Sequence, residues 1–207
     1  MNAYYLTAAR LGVEVLYDAE VTGLEIEAKN GNSVFSAAQV RHRGFERRIP
    51  ARAFIAAAGG FQANIDWLEE AWGPAARNFL IRGTPYAKGR VLRLLLDAGF
   101  QQVAEADQCH AVAIDARGPR FDGGIATRID SVPFSIVVNR AAQRFYDEGE
   151  DFWPKRYAIW GRLVAAQPDQ TGYVIINEKS IRSFMPSVFP PQMAASIAEL
   201  ADRKSVV

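Results

Sequence analysis

The sequence predicts an α/β portion over residues 1–106 followed by an α+β portion over residues 107–207. Three observations predict it. An apolar run, Ala53 to Ala58, leads through Gly59-Gly60 into an amphipathic helix, the order found where a buried strand feeds a helix. Upstream, two alternating segments flank the turn Lys29-Asn30-Gly31-Asn32, the pattern of an antiparallel hairpin. Beyond residue 106 the texture changes to loops rich in His, Asp, Arg and Gly, with short strands and helices interspersed.

In chain order, Asn2 to Leu11 places Tyr5, Ala8 and Ala9 at helical spacing and stops at Gly12, a residue suited to the left-handed position after a helix. Val13 to Tyr17 reads as a short strand of buried type. Val21 to Ala28 and Val34 to Arg41 form the hairpin. After the strand at Ala53 to Ala58, Asn64 caps a helix from Ile65 to Trp72 that Gly73-Pro74 ends. Gly89 to Ala98 is a further amphipathic helix closed by Gly99. Asp107 to Asp130 is loop-like, and Phe134 to Val138 and Arg144 to Tyr146 read as two strands joined by a turn at Asn139 to Gln143. Tyr157 to Ala166 is a helix ended by Pro168, Tyr173 to Ile176 a strand and Glu178 to Phe184 a short helix. Pro186, Pro190 and Pro191 interrupt the chain before a last helix from about Gln192 to Ala201.

Composition narrows the function classes. The 207 residues are 49% hydrophobic and 23% charged, an ordinary globular balance that excludes disordered and collagen-like chains. Twenty-four Lys and Arg stand against 23 Asp and Glu, so no global basic field draws the chain to nucleic acid or to an anionic membrane, and charge recognition must be local. One cysteine, Cys109, cannot close an internal disulfide, and two histidines, His42 and His110, cannot assemble the usual structural zinc sets. A reducing compartment follows. No apolar run approaches the ~20 residues that span a bilayer, and the N-terminus lacks the pattern of a signal peptide, so the expectation is a cytoplasmic protein.

Three constellations carry chemistry. The first is Ala57-Ala58-Gly59-Gly60-Phe61, where glycines let backbone approach a ligand and the helix start offers unpaired N–H groups. A structural turn has the same look, and the fingerprint G-x-G-x-x-G is absent. The second is Asp107-Gln108-Cys109-His110 through Asp115, in which His110 binds or polarises a carboxylate or else is a hydrogen-bonded structural histidine. Cys109 lacks partners for a catalytic set and is rejected as a nucleophile. The third is the density of cations after residue 115: Arg117, Arg120, Arg128, Arg140, Arg144, Lys155, Arg156 and Arg162. Guanidinium forks hold di- and tricarboxylates, although a salt-bridged face uses the same residues. Arg156 stands out in Asp151-Phe152-Trp153-Pro154-Lys155-Arg156-Tyr157, where aromatics desolvate a cation.

These residues carry a resemblance. Ala57-Ala58-Gly59-Gly60-Phe61 resembles the A-T-G-G-F segment of the FAD-dependent fumarate reductase and succinate dehydrogenase flavoprotein family, with Ala in place of Thr. Gly89 to Gly99 resembles the helix after that family's G-D-G segment, and Cys109-His110 falls where its H-P-T motif lies. Ile136-Val137-Val138-Asn139 with Arg144-Phe145-Tyr146-Asp147-Glu148 resembles its I-L-V-N-x-x-G-x-R-F-x-x-E run. Cys109 to Asp115, Phe121-Asp122-Gly123-Gly124 and Phe145 to Gly161 are most similar to its tricarballylate-dehydrogenase-like members.

The resemblance implies part of a Rossmann-like FAD-binding domain followed by part of a mobile capping domain that closes over a small polycarboxylate. It implies flavin contacts at Val21, Ala58, Gly59 and Gly60, and substrate contacts at His110 and Thr127. Arg128 stands at the position of a substrate-site Glu, which suits an additional negative charge. Arg156 is the implied proton-transferring residue, with Lys155 as its rival, while hydride passes between substrate and flavin. The implied partner is a membrane-associated iron–sulfur or haem electron-transfer protein, which would bring the protein peripherally to the inner membrane. No glycine-rich FAD loop occurs in these residues, and the expectation is an internal piece that alone holds FAD weakly or not at all, is inactive, and associates through surfaces meant for the absent segments. A related flavin enzyme acting on 3-ketosteroids, succinate or fumarate, or aspartate is the alternative, as is a non-catalytic assembly module.

Overall fold

The computed structural model describes residues 2–121, 127–150 and 153–203, with the side chains of 153–157 outside the description. The chain divides into two compact units. One comprises the chain up to Gly60 together with Gly89–Val103, and the other comprises Phe61–Lys88 together with the chain from Ala104 onward. Both named sheets are antiparallel.

In the first unit, α1 (Asn2–Arg10) precedes a three-stranded meander of β1 (Ala19–Lys29), β2 (Asn32–His42) and β3 (Phe45–Pro50), in that spatial order. Each hairpin turns on two left-handed residues, Asn30-Gly31 (φ 53° and 78°) and Arg43-Gly44 (φ 51° and 85°). Two consecutive positive φ values match the right-handed twist of the strands, which is why Asn-Gly announces the first turn. One face of the meander is a charge ladder. Arg48 holds Glu25 in a fork (Nη2–Oε2 2.7 Å, Nε–Oε1 2.9 Å), Gln39 Nε2 donates to the same carboxylate at 2.6 Å, and Arg41 bridges Glu20 at 3.2 Å and Glu46 at 2.9 Å. The Arg48 hydrogen bonds outweigh desolvation and hold the Glu25 carboxyl below its ordinary range. Helix α3 (Arg90–Asp97) lies against β1, and Arg90 pairs with Glu20.

Two segments expected as buried strands are irregular instead. Val13 to Tyr17 and Ala53 to Ala58 carry strand-type residues, yet Val13, Val15, Tyr17 and Ile55 are exposed, Ile55 at 88%. Among the described residues, no backbone hydrogen bond joins positions 53–60 to another segment. A fully apolar strand is stable only between neighbouring strands, and the described residues provide none here. The third strand, β3, escapes a hydropathy reading because Phe-Glu-Arg-Arg-Ile-Pro is a charged, exposed edge.

In the second unit, α2 (Ile65–Trp72) starts where Asn64 Oδ1 accepts from the Trp67 N–H at 3.2 Å and stops at Gly73 (φ 75°) before a short 3-10 turn, Pro74–Asn78. Leu68, Ala76 and Ile81 form one core with Phe61, Trp72, Phe79 and Phe121 around it. The Ile81 N–H donates to Arg120 O at 2.7 Å, and Ile81 bridges Phe121 in parallel. This packing groups Phe61–Lys88 with the chain from Ala104 onward.

The second core joins Val132, Val137 and Trp160 across β4 (Ile136–Asn139), β5 (Gly172–Ile175) and α4 (Trp153–Ala165). The partner of β4 is β5, with Val137 opposite Val174. Arg144 to Tyr146, expected as the paired strand, contributes a single bridge from Arg144 to Val138. The reason is Glu148. Its side chain is 3% exposed, accepts from the Val137 N–H at 2.6 Å, and is held by Arg144 Nε at 2.8 Å, which curls residues 144–148 under β4 instead of along it. The Asn139 side chain caps the intervening turn by accepting from the Ala141 and Gln143 N–H groups. The expected helix at Glu178 to Phe184 is one 3-10 turn (Glu178–Ser180), and the last helix, α5 (Ile197–Asp202), begins at the Ser196 cap rather than at Gln192.

Burial pushes the Glu148 carboxyl up, but Arg144 and the Val137 N–H together bring it below its ordinary value. The unfolded chain takes up that proton near 4.5 and the native chain only at lower pH. The contribution is therefore complete above that value and lost as pH falls through the native one. Glu148→Gln leaves an imperfectly paired buried group, with an expected cost of about 1–3 kcal/mol at neutral pH. Urea unfolding from neutral to acid pH should show the wild type losing stability more steeply than the variant.

Candidate functional site

The segment that carries His110 meets α4 at one crossing. The N–H of Gly161, in the middle of α4, donates to Ala111 O at 3.1 Å, and a Cβ at Gly161 would overlap the backbone of Ala111 and Val112. A helix-interior glycine costs stability, and its return here is contact between two backbones. Arg162 adds a second hold on the same segment. Its Nη2 donates to Asp107 O at 3.0 Å, its Nη1 to Gln108 Oε1 at 3.2 Å, and its guanidinium lies over the Trp72 ring, 5.2 Å from the ring centre.

His110 follows directly and is exposed at the edge of this crossing. Residue 156 lies five positions before Gly161 on α4, about 7.5 Å along the helix axis. The backbone thus brings the His110 segment to the helix that carries Arg156. The side chains of Lys155 and Arg156 lie outside the described residues, as do residues 122–126 of the Phe121-Asp122-Gly123-Gly124 segment.

The strand-like path continues from His110. The Asp115 N–H donates to Thr127 O at 2.7 Å, the Ile129 N–H to Ala113 O at 3.1 Å, and Ile114 bridges Arg128 in antiparallel fashion. Thr127 is buried, and its methyl lies against Gly118, where a Cβ would stand 3.2 Å away. Arg128 pairs with Asp130 through Nη2–Oδ2 at 2.7 Å, with a close ionic contact from Nε to Oδ1 at 2.5 Å that is off hydrogen-bond alignment. One edge of the Arg128 fork is therefore engaged by a carboxylate of the protein itself.

Arg117 is more fully used. It grips Asp115 through Nε (2.9 Å) and Nη2 (2.7 Å), donates to the carbonyls of Phe189 (3.1 Å) and Pro190 (3.0 Å), and stacks on the Phe189 ring at 5.1 Å. Ser187 Oγ reaches Asp115 at 3.4 Å. Desolvation raises the Asp115 carboxyl, but the Arg117 hydrogen bonds prevail and hold it below its ordinary value. Of the remaining cations, Arg140 pairs with Asp169, Arg144 with Glu148, and Arg120 donates to Arg77 O at 2.8 Å. Sequence reasoning offered a salt-bridged face as the alternative for these cations but did not name the partners. The signal was the short spacing of acid and base in Asp115-x-Arg117, Arg128-x-Asp130 and Arg144-x-x-x-Glu148.

Cys109 is exposed. Partial desolvation pushes its thiol up, against the pull of Arg162, which is the opposite of an activated nucleophile. Among the described residues no group of three or more His, Cys, Asp or Glu is placed to hold a metal ion.

The cofactor expectations fall on the first unit. Val21 sits in β1 opposite Val40, beside a register shift before Gly23. Gly59 is left-handed (φ 73°) with open space where a Cβ would stand, and Ala58 is exposed. Unpartnered peptide groups around a bare left-handed glycine fit a backbone contact to a flavin. They do not amount to a pyrophosphate cradle, which needs the glycine-rich loop that this sequence lacks.

No protein-family model and no curated protein matches the chain. Solved structures do. The chain is similar to a 3-ketosteroid Δ1-dehydrogenase from Sterolibacterium denitrificans (TM-score 0.60, 21% identity, covering 76% of this chain and 27% of that one). It is similar to a flavocytochrome c3 fumarate reductase in an open conformation (TM-score 0.60, 16% identity, 88% and 30%). A 3-ketosteroid-Δ4-(5α)-dehydrogenase from Rhodococcus jostii RHA1 is comparable (TM-score 0.59, 23% identity, 86% and 33%). The chain spans a third or less of each, and the likeness is one of fold: a portion of flavoprotein oxidoreductases.

Gly161→Ala tests the crossing. Alanine improves helix propensity by up to about 1 kcal/mol, whereas overpacking against the Ala111 backbone costs about 1–3 kcal/mol. Net destabilisation is expected, read as a lower thermal midpoint, with faster amide exchange at residues 107–115.

Proposed function

We propose that this chain supplies the substrate-gripping portion of an FAD-dependent oxidoreductase that dehydrogenates a small polycarboxylate of the tricarballylate type. The observation that supports the reading is the backbone contact of Ala111, next to His110, with Gly161 of α4, the helix that also carries residue 156. The fold likeness to a fumarate reductase supports the reaction class.

In this reading His110 donates a hydrogen bond to one substrate carboxylate. Thr127 and Arg128 stand on the paired strand segment and contribute to the grip. Arg156 exchanges the proton at the carbon next to the one that loses hydride, a role open to a guanidinium only where desolvation weakens its hold on the proton. Lys155 is the rival for that role. Val21, Ala58, Gly59 and Gly60 would contribute to holding FAD, which when bound supplies the two-electron acceptor for the substrate's hydride. The chain's task is orientation and the exclusion of water. A membrane-associated iron–sulfur or haem protein is the proposed onward electron carrier.

A second reading has its own support, since two of the three structural relatives are 3-ketosteroid dehydrogenases and both are more similar in sequence than the fumarate reductase. One experiment separates the two. In a flavin-loaded protein containing this chain, tricarballylate should bleach the flavin absorbance under anaerobic conditions, and 4-androstene-3,17-dione should not. His110→Ala should raise KM about 10–100-fold through the lost charged hydrogen bond, whereas Arg156→Gln should lower kcat by at least about 100-fold. Bleaching by the steroid alone would overturn the polycarboxylate assignment.

A further inference from the structure

The hairpin joining β2 to β3 is the most cationic short stretch of a chain whose net charge is only +1. Residues 41–52 hold five arginines against one glutamate. Their side chains divide by face. Arg41 and Arg48 stand on the laddered face and are neutralised by Glu20, Glu25 and Glu46. The register puts Phe45 opposite His42 and Arg47 opposite Val40, so Phe45, His42 and Arg47 share the other face, while Arg43 occupies the turn. Arg47 Nη1 lies 2.9 Å from His42 Nδ1. Arginine has only donors, so the histidine nitrogen accepts and the contact leaves the guanidinium charge uncompensated. Among the described residues no carboxylate pairs with Arg43 or Arg47. Phe45, between them, is 77% exposed.

We propose that this tip, formed by His42, Arg43, Phe45 and Arg47, docks on an anionic lipid surface. A stable protein interface needs roughly 800 Å² from each partner, more than a four-residue tip provides. Sequence-independent grip on nucleic acid needs a row of cations along a backbone, and the neighbouring arginines are already neutralised. An exposed aromatic ring flanked by uncompensated arginines has the chemistry of a headgroup-level anchor: the ring enters the interface while the cations meet lipid phosphates. Arg43 lies in the left-handed turn at the end of the hairpin, and His42 and Phe45 form the last strand pair before it. No helix among the described residues is long and apolar enough to cross a membrane. This inference is independent of the proposed reaction.

The test is co-sedimentation of the 207-residue chain with vesicles of equimolar phosphatidylcholine and phosphatidylglycerol, against vesicles of phosphatidylcholine alone. Binding to the anionic vesicles that weakens with added salt is expected. Each arginine near such a surface is worth about fivefold in partitioning, so Arg43→Asn with Arg47→Gln should lower it about 25-fold. Asparagine tolerates the positive φ at position 43, and both sites are exposed, so an unchanged melting curve should accompany the loss. Phe45→Thr should weaken binding to the anionic vesicles while keeping the strand. Equal binding to both vesicle types, binding indifferent to the arginine changes, or no sedimentation would each overturn the proposal. Adhesion through the bare Val13 to Tyr17 and Ala53 to Ala58 segments would give the first two of those results.

Discussion

A helix-interior glycine that meets another backbone is the constraint on which the second unit depends. Gly161 admits Ala111 so closely that the helix N–H bonds its carbonyl. Around that point the arrangement is fixed outward in both directions. Arg162, one residue on, reaches back to residues 107 and 108, and the path forward from His110 enters the pairing of residues 113–115 with 127–129. Asp115 then hands the order on through Arg117 to the carbonyls of Phe189 and Pro190. His110 itself is exposed, and the segment that carries it is anchored on either side.

The cationic density of the second half has a different meaning once its partners are known. Arg117, Arg128, Arg140 and Arg144 each meet a carboxylate of the chain, and Arg120 and Arg162 meet carbonyl or amide oxygens. Buried acids such as Asp115, Asp130 and Glu148 require these cations, because an unpaired buried charge is far costlier than an apolar substitute. The cations proposed for gripping substrate are thereby narrowed to Arg128 and to Lys155 and Arg156 at the start of α4, with His110 as their proposed neighbour.

What the sequence made legible was local. Asn30-Gly31 announced the first hairpin because two left-handed residues suit its turn, and Asn64 with Gly73-Pro74 bounded α2 because capping needs are written within a few positions. The pattern failed where partners are distant. Val13 to Tyr17 and Ala53 to Ala58 have the composition of sheet interior, and that composition states a demand for neighbours rather than their presence. Arg144 to Tyr146 alternates like a strand, but the need to pair buried Glu148 redirects it. In the candidate site, His110 stood out by residue type, while its support did not, because Gly161 lies far along the chain. The isolated glycine in Trp160-Gly161-Arg162 was the available signal, since a glycine inside a helical pattern often marks close backbone approach.

The chain contains two histidines, one in the candidate site and one on the meander, and this makes a direct measurement possible. Proton NMR of the imidazole signals of the 207-residue chain, recorded during titration with tricarballylate, reports on each ring separately. The account predicts a saturable shift of the His110 signals with those of His42 unmoved, and the shift should vanish in Arg156→Gln. Stationary His110 signals, or equal shifts at both histidines, would contradict it.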